Sequence, residues 1–157
     1  MGKVNDVLEK LQKMLPGGAV ARDEGYRAGV VFSANVPQSQ LREVATVLNE
    51  MEFYLESCTA IDFQDTFELV YHFNCYEPRS RFAVRVLCGH DQAVPTVCDI
   101  FKTAKWQERE IHEFFGISFV DNPDLRRLLL PEDADFYPLK KTFGKVNAYR
   151  RREEIYG

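Results

Sequence analysis

Four ionisable side chains, Glu108, Arg109, Glu110 and Glu113, fall within two helical turns, and His112 stands among them. On a helix Glu110 and Glu113 are three residues apart, a spacing that could pair a general acid with a base or, with His112, hold a metal. Arg109 and Glu113 lie four apart, as do Glu108 and His112, a spacing suited to ion pairs. The chain has three histidines, His72, His90 and His112, and none completes a His-Glu-x-x-His or Glu-x-x-His pattern. Trp106, Ile111, Phe114 and Phe115 crowd the same two turns. A buried or interfacial ion-pair network therefore outweighs both catalysis and a solvated charged face.

A second group is Asp124-Leu125-Arg126-Arg127, followed by Lys140-Lys141. Guanidinium forks grip oxyanions, so a phosphate or an acidic segment would suit them. No Gly-x-Gly-x-x-Gly or P-loop accompanies them, which leaves nucleotide binding weakly supported. Pairing within the chain, to Asp121, Asp124 or the acids at 132–135, and pairing to another protein stay open alternatives. A third group, Tyr149 to Arg152, is basic enough to consider RNA, but a net charge of −4 opposes a nucleic-acid partner. The cysteines, Cys58, Cys75, Cys88 and Cys98, form no Cys-x-x-Cys pair and read as small buried apolar residues.

The totals narrow the class. A chain of 157 residues with 45% hydrophobic and 13% aromatic residues is long and apolar enough for one domain with its own core. No apolar run approaches the roughly 20 residues that cross a bilayer. Residues 1–14 form a charged amphipathic segment, unlike a signal peptide. The expectation is a soluble, cytoplasmic chain that reaches a membrane only through a partner.

The elements that must position these groups follow from periodicity. Val4, Val7, Leu8, Leu11 and Leu15 predict a first helix, ended by Pro16-Gly17-Gly18. Residues 26–33 predict a strand. Pro37 opens a second helix with the stripe Leu41, Val44, Ala45, Leu48, Met51. Strands are predicted over 53–61, 67–76 and 81–88, and links this short allow only antiparallel neighbours. Val94, Val97, Cys98 and Phe101 predict a third helix, and Glu108–Phe115 a fourth that stops at Gly116. The fold class is α+β: a mostly antiparallel sheet covered by helices, in the order α-β-α-β-β-β-α-α, with an extended C-terminal tail. The expected division is an α+β domain at 1–118 and a tail at 119–157. That tail carries Leu125, Leu128, Leu129, Leu130, Phe136, Leu139 and Phe143, so wrapping around something suits it better than dangling.

Three ordered motifs identify a relationship. Glu108-Arg109-Glu110 running to Phe114-Phe115-Gly116-Ile117, then Asn122-Pro123-Asp124-Leu125-Arg126-Arg127, then Tyr137-Pro138-Leu139-Lys140-Lys141 resemble the family of the C subunit of NADH–quinone oxidoreductase (respiratory complex I) and its counterparts in membrane-bound nickel–iron hydrogenases and formate hydrogenlyases. Thr59-Ala60-Ile61-Asp62 and Phe67-Glu68-Leu69-Val70-Tyr71 are similar to the family's strands, so the resemblance spans roughly 37–143. Departures are Glu113 where the family usually has Asp, Asn122 and Tyr137 where it has His, and Lys140-Lys141 where it has Arg-Lys.

The resemblance implies a chain that is not itself catalytic and holds no cofactor or metal. Iron–sulfur clusters, with FMN or a nickel–iron centre, would sit in partner subunits. The implied partners are a hydrogenase-like large subunit, a small iron–sulfur subunit and other complex I-like subunits, on the cytoplasmic side of a membrane. Glu108, Arg109, Glu110 and Glu113 would brace the motif helix. Pro123, Asp124, Leu125, Arg126 and Arg127, with Pro138, Leu139, Lys140 and Lys141, would anchor the tail and form the contact. A hydrogenase-type complex is the alternative setting for the same role.

Overall fold

Strict alternation along two neighbouring strands sets the sheet. Phe67, Leu69, Tyr71, Phe73 and Cys75 share one face of a strand, and Phe82, Val84, Val86 and Cys88 share the matching face of the next. The computed structural model describes residues 2–22, 29–144 and 152–156. Its elements are α1 (Gly2–Met14), β1 (Val20–Arg22), β2 (Val30–Asn35), α2 (Leu41–Glu50), β3 (Tyr54–Asp62), β4 (Phe67–Cys75), β5 (Ser80–Cys88), β6 (Ala93–Pro95), α3 (Ala104–Phe115), β7 (Ser118–Val120) and α4 (Arg152–Tyr156).

Five strands form one sheet in the order β1-β2-β5-β4-β3. β3, β4 and β5 run antiparallel through tight turns, as their short links require. β2 lies parallel to β5, because α2 and two strands intervene and supply the long return a parallel pair needs. The strand predicted at 26–33 runs from Val30 to Asn35, and residues 26–28 lie outside the described residues.

Helices cover one face. Val7 and Leu11 of α1, Leu41, Val44, Ala45 and Leu48 of α2, and Ala104 and Ile111 of α3 join the inward faces of β4 and β5 in one hydrophobic cluster. Full burial of each such Leu or Ile contributes about 1.5–3 kcal/mol. Cys58, Cys75 and Cys88 are buried with them, and Cys98 is half-buried. On the opposite face Glu68, Val70 and Asn74 are buried, while His72, Arg81 and Arg85 are half-buried.

The helix predicted over Val94 to Phe101 does not form. Residues 93–95 are instead strand β6, parallel to β7, and a turn follows at 98–100. The spacing of Val94, Val97 and Phe101 is helical, but Pro95 lacks an amide and biases Val94 toward extended backbone. The neighbouring amides are taken by tertiary partners: Thr96 N donates to Val120 O at 3.0 Å, and Val97 N to Glu108. The three apolar side chains are buried all the same.

Candidate functional site

α3 is the element on which the site is built. Its apolar stripe faces the sheet, and Gly116 ends it with φ 75°, a left-handed conformation that glycine adopts without strain. The amide of Gly116 donates back to His112 O at 2.9 Å. Three of the helix's four motif charges turn inward: Glu108 and Glu113 are fully buried and Arg109 is nearly so, while Glu110 is exposed. The ion-pair spacings read from the sequence are not what these residues use.

Glu108 ties α3 to the β6–β7 region. Its carboxylate accepts from Thr96 Oγ1 at 2.5 Å, Val97 N at 2.9 Å and Asn122 Nδ2 at 2.7 Å. Burial pushes this carboxyl above its ordinary value, and the three donors pull against that rise. Asn122 has a second role, since its Oδ1 accepts from Asp124 N at 2.9 Å and so starts the tail in a side-chain-capped turn.

Arg109 and Glu113 then hold the tail's backbone. Arg109 donates to the carbonyls of Arg126 (3.0 Å) and Arg127 (2.8 Å), with its guanidinium over the Trp106 ring. Glu113 accepts from three successive amides, those of Leu128, Leu129 and Leu130. Consecutive amides converging on one anion make a concave receptor, so a carboxylate here orders an otherwise irregular stretch of chain. Burial works against ionisation of Glu113, but the three amides and the charge of Arg127 outweigh it and hold the carboxyl below its usual range.

The remaining motif residues extend this hold. Arg127 donates to the carbonyls of Glu113 and Ala134 and lies over the Tyr137 ring, which itself packs against Gly116. Lys140 Nζ sits 5.1 Å from the Tyr137 ring centre and 5.9 Å from that of Phe67. Leu139 N donates to Phe114 O at 3.0 Å, and Lys141 N to Asp62 Oδ2 at 2.8 Å. Asp62 also meets His90 Nε2 at 2.9 Å. Leu125 is half-buried against the core, Pro138 is half-buried, and Pro123 and Leu139 are exposed. Asp124 pairs with Arg126 at 2.8 and 3.1 Å and stands 3.7 Å from Arg109. Those hydrogen bonds from Arg126, with the charge of Arg109, hold its carboxyl far below the ordinary carboxylate range.

Of the sequence-predicted residues, α3 therefore gathers Arg109, Glu113, Asp124 and Arg127 into one network, whereas Glu110 and the side chain of Lys141 stand outside it. Thr96, Asn122 and Asp62 were not among the predicted site residues. The Asn-Pro-Asp turn carried a signal for Asn122; Thr96 carried none. Among the described residues no group of three or more His, Cys, Asp or Glu is placed to hold a metal ion. Tyr149 to Arg151 of the basic end lie outside the described residues.

Residues 34–149 match the family described as respiratory-chain NADH dehydrogenase, 30 kDa subunit. The chain belongs to that family. The second C subunit of NADH-quinone oxidoreductase from Rhizobium meliloti (strain 1021) is 35% identical over 150 residues, covering 90% of this chain and 80% of the relative. The corresponding C subunit of Roseiflexus sp. (strain RS-1) is 34% identical, covering 86% and 80%. Solved structures agree on the fold. A chain of an archaeal respiratory membrane complex, the membrane-bound sulfane sulfur reductase, has a TM-score of 0.74 at 26% identity, covering 90% of this chain and 86% of that one. The trypsin-resistant fragment of Nqo5 has a TM-score of 0.65 at 27% identity, covering 78% and 99%. As a member of this complex I family the chain is one part of a multi-subunit oxidoreductase. Among the described residues no helix is long and apolar enough to cross a membrane.

Proposed function

We propose that this chain is a non-catalytic structural subunit in the hydrophilic arm of a complex I-like membrane oxidoreductase, one that passes electrons from NADH or ferredoxin to quinone and couples them to ion translocation. It docks on the hydrogenase-like large subunit, with the segment 119–157 embracing that partner, beside a small iron–sulfur subunit. It lies on the cytoplasmic side and meets the membrane through the complex alone. Iron–sulfur clusters and FMN belong to its partners.

The observation that carries this reading is the use of the motif charges. Glu108, Arg109, Glu113 and Arg127 are spent on backbone amides, carbonyls and short polar side chains of the same chain. Their work is to hold a tail in one shape, and that shape presents apolar side chains outward: Leu129 is 68% exposed, Leu139 is exposed, and so are Phe136 and Phe143, whose rings stack on each other. Several outward Leu and Phe side chains on one ordered segment are what a protein partner covers.

A second setting for the same role is an energy-converting nickel–iron hydrogenase or formate hydrogenlyase, since the three motifs resemble the counterparts in those complexes as well.

The test is to tag the chain in its own cells, extract membranes with mild detergent and identify what co-purifies. Recovery of a hydrogenase-like large subunit with iron–sulfur and membrane subunits is the expected result, and nickel content then separates the two settings. A chain that comes down alone and monomeric would overturn the subunit reading.

A further inference from the structure

Beside the tail-holding network lies a cavity of about 540 Å³ lined by Arg109, His112, Leu125, Arg126, Arg127 and Glu132. Arg109 and Arg127 spend their hydrogen bonds there on uncharged carbonyls, while Asp124, 3.7 Å from Arg109, and the Glu113 carboxylate near Arg127 balance their charge. Arg126 differs from both. Its side chain is 82% exposed, and Asp124 grips one edge of its guanidinium through Nε and Nη2. That grip uses two of the five N–H groups of a guanidinium and leaves the Nη1 edge of a fixed fork turned to solvent. Trp106, 59% exposed, stacks on Arg109 next to the cavity. Exposed Trp and Arg together are the residue types that anchor protein interfaces.

We propose that this cavity receives one Asp or Glu side chain of the partner subunit, clasped by the free edge of Arg126 and covered by Trp106. The proposal rests on the subunit reading above and names the chemistry of its partner. Charge complementarity sets the occupant. Three of the six lining residues are arginines and one, Glu132, is an acid. Asp124 and Glu113 balance the charges held further in, and the exposed fork of Arg126 matches the two oxygens of a single carboxylate. A pre-aimed fork also loses little side-chain freedom on binding, because Asp124 has already ordered it.

The experiment uses the assembled complex, purified through a tag on this chain. Arg126→Glu is expected to lower recovery of the large subunit roughly tenfold or more at moderate salt, and Arg126→Lys to keep most of it. In the Arg126→Lys complex a carbodiimide should couple the new amine to one Asp or Glu of the partner, located by mass spectrometry. Reversing that acid to Arg should restore recovery of the Arg126→Glu chain. Recovery within twofold of the native chain, no partner carboxylate coupled at position 126, or no rescue would each overturn the proposal. So would inorganic phosphate saturating Arg126 in the isolated chain, which would assign the cavity to a small anion. Failure of the subunit reading looks different: the native chain itself would come down alone.

Discussion

Glu113 and Leu129 stand sixteen residues apart in sequence, and both carboxylate oxygens of Glu113 accept from the Leu129 amide, at 2.9 and 3.1 Å. One buried side chain on a regular helix thereby fixes the backbone of a segment with no regular structure of its own. A tail of this kind has no helical or sheet ladder to satisfy its amides, and each amide left buried without a partner costs about 1–3 kcal/mol. A carboxylate serves three of them at once because it accepts on two oxygens with about four lone-pair directions.

Glu113→Gln tests that account with almost no change in volume. The amide nitrogen of Gln cannot accept, so it meets tail N–H groups donor to donor. The expected loss is about 1–3 kcal/mol of unfolding free energy, with protease cutting appearing first around residues 128–130. Chemical denaturation and peptide mapping after brief proteolysis measure both. A variant as stable and as protected as the native chain would remove Glu113 from this role.

The pH dependence follows in sign. A carboxyl whose folded value is depressed stabilises the fold fully above its unfolded value, about 4.3, and loses that contribution as pH falls through the folded value. Glu108 acts in the opposite sense, because burial raises its folded value and ionising it as pH climbs past about 4.3 weighs against the fold. The difference between native and Glu113→Gln chains isolates the first effect. That difference should be constant from neutral pH down to about 4.3 and close in more acid solution. A gap that widens on acidification would contradict the ionised receptor.

Regular elements were legible where side-chain period alone decides them. The alternation in β4 and β5, the stripe of α2 and the stop at Gly116 all follow from burying one face. The segment at 94–101 was misread because its apolar spacing is helical while Pro95 and the buried carboxylate of Glu108 claim the backbone. Glu108, Arg109 and Glu113 were legible as chemically unusual, but their partners were not. Those partners are mostly backbone groups from Val97 to Leu130, and backbone groups leave no residue-type signal in a sequence.

Gly116→Ala should loosen the junction between α3 and the tail. A Cβ at position 116 would meet the Tyr137 ring at 3.0 Å, on a backbone whose φ of 75° already costs a non-glycine residue roughly 1–2 kcal/mol. Tyr137 must move, and Arg127 and Lys140 lose the ring both of them face. The expected result is a loss of about 2 kcal/mol or more, read as a fall in Tm with a change in tyrosine fluorescence. An unchanged Tm would mean that Tyr137 is not packed on the glycine.

Arg85 and Arg152 should prove interdependent through Glu68. The carboxylate is fully buried on the outer face of the sheet and takes Arg85 from β5 at 2.5 Å and Arg152 from α4 on its other oxygen. Both guanidinium groups also lie over the Tyr156 ring, at 5.0 and 5.2 Å. Either arginine alone still neutralises Glu68, so each single change to Ala should cost about 1.5–3 kcal/mol, as the loss of one charged hydrogen bond does. Removing both strands a buried charge, and the double variant should lose more than the two singles added together. Urea denaturation of the four chains gives the coupling directly. Additive losses would show that α4 does not share the charge of Glu68.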